Sequence, residues 1–149
     1  MKKLNYLLLL VSLLIISCSK DSTTPDTPAT YSVVGIWKTT SALLNGVEKF
    51  GGANPVKSET SNFNANGSLN TQSYSDTNYA TLLGYSTGTY TIPNTSTINM
   101  SANAYSSSGA LTGSYNLSCQ VLLINATQLQ IKVLNYPAAN DIYIKTFVR

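Results

Sequence analysis

From Tyr31 to Arg149 no stretch places apolar residues at i, i+3, i+4 and i+7 over three turns, while apolar–polar alternation recurs between closely spaced turn signals. The pattern predicts strands over Val33–Leu44, Val47–Phe50, Ser58–Asn64, Ser68–Tyr74, Tyr79–Leu83, Thr87–Ile92, Thr97–Tyr105, Tyr115–Ile124, Leu129–Asn135 and Ile142–Val148. Some of the weaker runs merge, leaving eight or nine. Asn45-Gly46 and Ala65-Asn66-Gly67 are hairpin turns whose residues accept positive φ. Asp76-Thr77-Asn78, Pro93-Asn94-Thr95, Ser106–Gly109, Asn125-Ala126-Thr127 and Tyr136–Asp141 supply the other breaks. Sequential hairpins without long crossovers imply an all-β, eight- to nine-stranded antiparallel up-and-down barrel, because closing the ring removes exposed edges. Alternation puts Leu117, Cys119, Val121 and Leu123 on one face, and Leu129, Ile131 and Val133 opposite Gln128, Gln130 and Lys132. The first group and the Leu129 set line the expected interior.

The first 30 residues follow another rule. Met1-Lys2-Lys3 is a basic start, and Leu4–Ile16 is apolar apart from Asn5, Tyr6 and Ser12. That run is too short to span a bilayer, where about 20 apolar residues are needed, so residues 1–17 read as a cleaved signal peptide. Ile15-Ile16-Ser17-Cys18 resembles the bacterial lipobox, which implies lipidation of the Cys18 thiol by acyl chains such as palmitate. At about 0.8 kcal/mol per buried CH2, two chains hold a protein on a membrane. Ser19, and not Asp, follows the cysteine, which implies the outer membrane; Ser19-Lys20-Asp21 resembles short surface-export segments, and periplasmic and cell-surface faces both stay open. Residues 18–30, with Pro25 and Pro28 and nothing large to bury, read as a tether, and Asp21-Ser22-Thr23 resembles an O-glycosylation tripeptide. Residues 31–149 are then the folded domain.

Composition narrows the chemistry. The chain has no histidine, which excludes Ser-His-Asp and Cys-His catalysis, histidine-ligated metals and a histidine pH switch. Loss of Lys2 and Lys3 with the signal leaves it close to neutral, so nothing favours nucleic acid. The domain's carboxylates, Glu48, Glu59, Asp76 and Asp141, show no spacing that pairs them, and each is expected at a solvated surface. No Asp-x-Asp-x-Asp-Gly run suggests calcium. The chain reads as a non-enzyme without metal or cofactor. Cys119 is expected inside the barrel as a small hydrophobe without a partner, since Cys18 is taken by lipid. About a third of the residues are Ser, Thr or Asn, which suits polar, scarcely charged outer strand faces.

Gly35-Ile36-Trp37 matches the Gly-x-Trp signature of lipocalins, and Val33–Thr40 followed by Asn45-Gly46 resembles the opening of the lipocalin-like lipoproteins of Bacteroidetes. Asn62–Ser68 resembles that family's second hairpin, and Gly88–Ile92 the strand before its Asn turn. The resemblance implies a barrel closed at one end by Trp37, with Gly35 leaving room for the indole and for the tight entry of the chain. It also implies a basic side chain from the last strand over the indole, either Arg149 or Lys145, with Arg preferred for stacking. Gly109–Tyr115 resembles a segment of avidins, but it lies far from the Trp, and a single tryptophan does not build a biotin site.

Two functions fit. One is a carrier or sensor taking a small apolar or amphipathic ligand, with Trp37, Tyr90, Tyr115, Leu117, Val121, Leu129 and Ile131 lining the barrel. The other is a surface-displayed interaction module with a filled core, binding a protein or glycan through tyrosines near Tyr79, Tyr85, Tyr105 and Tyr136.

Overall fold

The computed structural model describes residues 31–51 and 53–149. The expected signal peptide (residues 1–17), Cys18 and the expected tether (residues 18–30) lie outside them. Nine strands follow one another: β1 (Gly35–Leu44), β2 (Val47–Glu48), β3 (Ser58–Phe63), β4 (Ser68–Tyr74), β5 (Leu82–Asn94), β6 (Thr97–Ser106), β7 (Leu111–Ile124), β8 (Gln128–Leu134) and β9 (Tyr143–Val148). Their order is β2-β1-β3-β4-β5-β6-β7-β8-β9, and β1 also pairs with β9. Strands β1 and β3–β9 therefore make a closed, eight-stranded, antiparallel barrel of lipocalin-like architecture. The two-residue β2 extends the sheet beside the end of β1.

Local chemistry sets the turns. Asn45 and Gly46 take φ of 52° and 80°, the double positive φ that matches a hairpin turn to strand twist. Asn45 also binds the last loop: its amide donates to Asp141 at 2.8 Å and its carbonyl oxygen accepts from the Ile142 amide at 2.9 Å. Glu48 ends β2 by accepting from the amides of Ala42 and Phe50 and the Ser41 hydroxyl. Those bonds outweigh its burial and lower its pKa. Asp76 closes the β4–β5 turn by accepting from Asn78, Ala80 and Thr81. Asp76, Asp141 and Glu48 thus tie down turns in addition to meeting solvent.

Three expectations need correction. Tyr79–Leu83 and Thr87–Ile92 are not two strands: Tyr79 sits in the turn with φ of 60°, and β5 runs unbroken through Gly84-Tyr85-Ser86 because β4 and β6 supply partners on both sides. β7 starts at Leu111, earlier than Tyr115, since β6 pairs with the added length. Leu123 faces outward at 40% exposure, because a register shift between Val121 and Leu123 moves the following residues to the other face. A similar shift between Thr39 and Ser41 passes the inward positions of β1 from Trp37 and Thr39 to Ala42.

The apolar core fills one end of the barrel. Trp37, Phe63, Leu69, Ile98, Cys119, Leu129 and Phe147 are buried together, and Phe63 meets Tyr90 edge-on at 5.1 Å between ring centroids. Gly88 faces the backbone of β6 so closely that a Cβ there would lie 2.0 Å from the Ser101 carbonyl oxygen, so only glycine fits.

Candidate functional site

Trp37 has no exposed surface, and its indole N–H donates to the Val33 carbonyl at 2.7 Å. Arg149 lies over the ring, its guanidinium carbon 4.1 Å from the centroid. The same guanidinium donates to the carbonyls of Ser32 at 2.8 Å and Val34 at 2.7 Å, while the Arg149 amide bonds to Thr127. The last residue is thereby fixed across the closed end. Gly35 has φ of 136°. A Cβ there would meet the Arg149 guanidinium at 3.4 Å, an ordinary contact, and no indole atom is among its nearest neighbours. The positive φ by itself favours glycine at this position.

Beyond this floor the interior opens into a cavity of about 360 Å3. Phe63, Leu69 and Phe147 form its base. One wall comes from β3, β4 and β5 and carries Glu59, Ser61, Thr71, Ser73 and Ser86; the wall from β6, β7 and β8 carries Met100, Ala104, Leu117, Ile131 and Val133. β9 adds Tyr143 and Lys145, and Gly84, Tyr85, Tyr105, Tyr115 and Tyr136 complete the lining. The Tyr85 and Tyr105 rings stack at 5.1 Å.

A polar cluster crosses this space. Lys145 forms an ion pair with Glu59, the two side chains keeping 18% and 14% of their surface exposed. The Thr39 hydroxyl donates to the same Glu59 oxygen at 2.9 Å. Burial alone would lower the lysine pKa, but attraction to Glu59, aided by the Tyr143 and Tyr115 hydroxyls, raises it above the ordinary value. Tyr115 shares a hydrogen bond with Ser86 at 2.8 Å, and Ser61 with Thr71 at 3.3 Å. Burial raises the pKa of both Tyr115 and Tyr143, which keeps them as neutral hydroxyls. Among the described residues, no buried side-chain nitrogen or oxygen lacks a partner.

Of the residues expected to line a ligand site, Tyr115, Leu117 and Ile131 are on the cavity wall. Trp37, Tyr90 and Leu129 are packed in the floor, and Val121 is partly buried against the core outside the lining. Tyr90 sends its hydroxyl to the Asn64 carbonyl at 2.8 Å, closing the β3–β4 hairpin. Two residues depart from their expected places. Glu59, expected at the surface, is inside, and Lys145, an alternative to Arg149 over the indole, is its partner. Alternation carried the signal: Glu59 shares a face with Ser61 and Phe63, and Lys145 with Phe147. Cys119 is fully buried in the floor, its thiol pushed up to about 12 by desolvation, so it stays a thiol. Cys18 falls outside the described residues. No group of three or more His, Cys, Asp or Glu among the described residues is placed to hold a metal.

No family model matches the chain, and no curated protein or solved structure is similar enough to count as a relative.

Proposed function

We propose that this chain is a lipocalin-like lipoprotein, held on the outer membrane by a lipid on Cys18 once residues 1–17 are removed, whose barrel binds a small apolar or amphipathic molecule without transforming it. The cavity above the Trp37 floor carries this proposal. Its volume of about 360 Å3 falls within the range of small-molecule sites, roughly 300–1,000 Å3, and its lining mixes apolar walls with a few convergent polar groups. The tether of residues 18–30 gives reach from the bilayer, and nothing in the charge balance invites nucleic acid.

Native mass spectrometry of protein purified from its own membrane tests the ligand. The expected result is a small molecule that co-purifies and is lost on unfolding; a bare polypeptide that also fails to bind an apolar fluorophore would overturn it. Cys18→Ser should move the protein to the soluble fraction, and retention at high salt would remove the lipid assignment.

A second reading, a surface-displayed module for a protein or glycan, draws support from the tyrosine pairs Tyr85–Tyr105, Tyr74–Tyr79 and Tyr136–Tyr143, with centroids 5.1, 5.4 and 5.6 Å apart. Tyr79→Ala separates the two, because Tyr79 lies outside the cavity lining: it should leave small-molecule binding in place and abolish binding to such a partner.

A further inference from the structure

Along its depth the wall from β3, β4 and β5 is polar, while the wall from β6 to β8 is largely apolar, with Tyr115 on β7 sending its hydroxyl across to Ser86 on the polar side. That asymmetry constrains the ligand. Ser61 on β3 pairs in register with Thr71 on β4, and Thr71 pairs with Ser86 on β5, so three hydroxyls lie side by side across consecutive strands. The next inward positions, Glu59 opposite Ser73, continue the polar surface away from the floor. Three further consecutive strands present Met100, Leu117 and Ile131. A head-and-tail amphiphile needs its polar contacts gathered at one end. Here they extend over two successive layers of one side, joined by the Tyr115 hydroxyl from across the barrel.

Charge narrows the choice further. Lys145 is the cation of the cavity, and Glu59 already neutralises it. An incoming carboxylate would either displace Glu59 or be enclosed beside it as a second anion, and both leave a poorly solvated charge without its partner. Serine, threonine and tyrosine hydroxyls donate and accept equally, so they match a neutral hydroxyl on a ligand in either sense. The hydrogen bonds among Ser61, Thr71, Ser86 and Tyr115 hold that surface in place before any ligand arrives.

We infer that the cavity selects an uncharged molecule with hydroxyls along one edge and hydrocarbon along the other, and discriminates against anions with a single polar head, such as fatty acids. This rests on the cavity being the ligand site.

Titrations with three probes test it: 2,3-dihydroxynaphthalene, naphthalene and dodecanoate. The diol should bind at least ten-fold more tightly than either of the others. Thr71→Val combined with Ser86→Ala should erase that preference by weakening diol binding, and Thr71→Ser alone, which keeps a hydroxyl, should retain it. Circular dichroism establishes that each variant folds. A diol no tighter than naphthalene, a dodecanoate as tight as the diol, or a preference that survives the double substitution overturns the inference. Failure of all three probes to bind overturns instead the cavity as a ligand site, and the inference with it.

Discussion

The floor of the barrel and the chamber beyond it are built from the same strands, yet they have opposite chemistry. In the floor, Trp37, Ile98, Cys119 and Leu129 have no exposed surface, and the indole N–H is answered by a backbone carbonyl. Two to four residues further along, β3 changes from Phe63 to Ser61 and Glu59, β4 from Leu69 to Thr71 and Ser73, and β9 from Phe147 to Lys145. Alternation alone would treat all of these as equivalent inward positions. What separates core from cavity is the kind of side chain placed at each depth, so that one layer is a packed apolar floor and the next a polar-lined chamber.

The strongest way to break this division is to open the floor. Trp37→Ala removes the largest buried side chain, and aromatic-to-alanine changes in cores cost about 3–5 kcal/mol. Urea unfolding should show a much lower midpoint with an unchanged slope. A loss below 1 kcal/mol would mean that the indole is not the plug of the barrel.

The chamber should respond differently. Lys145→Met strands the Glu59 carboxylate in a poorly solvated interior and should cost about 3 kcal/mol, whereas Lys145→Met with Glu59→Leu should recover most of that loss. Recovery is the informative result, because it shows that the pair is not what stabilises the barrel. If the double variant is as unstable as the single one, the chamber belongs to the stabilising core after all.

Alkaline pH probes both layers in sequence. Cys119 in the floor keeps its proton to about pH 12, while an ordinary thiol in the unfolded chain loses it near 9. Between those values the unfolded state binds fewer protons, so stability falls as pH rises, by up to about 1.4 kcal/mol per pH unit. Tyr115 and Tyr143 add losses of the same sign above about pH 10. The raised Lys145 pKa acts likewise: its contribution is complete below the ordinary lysine value of 10.5 and disappears as pH climbs through the folded one. Cys119→Ala should flatten the decline between pH 9 and 10 in thermal melts, leaving the steeper fall above it. An unchanged slope would place the thiol in contact with solvent.

These contrasts also mark how far the sequence was readable. Local chemistry was legible: Asn45-Gly46 turns where its residue types demand, and β4 spans Ser68–Tyr74 as its alternation indicates. The basic residue over Trp37 was an expectation of the lipocalin resemblance, and not of the local pattern. Relations between strands were not legible. The shifts at Thr39/Ser41 and Val121/Leu123 leave no mark in the pattern of apolar residues, because an added residue is visible only against a partner strand. The Glu59–Lys145 pair joins positions 86 residues apart, on the two strands that flank β1. Each charge alone looks like a solvated surface residue. Only ring closure, which puts β9 against β1, brings the two together.

The smallest effect sharpens the floor itself. Gly35→Ala should cost about 1 kcal/mol, because φ of 136° is strained for any residue with a Cβ. The added carbon would sit 3.4 Å from the Arg149 guanidinium, at ordinary contact distance, so crowding adds little. Arg149→Ala should also cost about 1–2 kcal/mol, through the lost stacking on Trp37 and the carbonyls of Ser32 and Val34 left without a donor. A double-mutant cycle in urea distinguishes the two roles of the glycine. If backbone geometry is what Gly35 supplies, the penalties add, and the coupling stays within about 0.5 kcal/mol. A larger coupling, with Gly35→Ala becoming harmless once Arg149 is truncated, would show instead that the glycine exists to seat the guanidinium, making the stacked cation the organising element of the closed end.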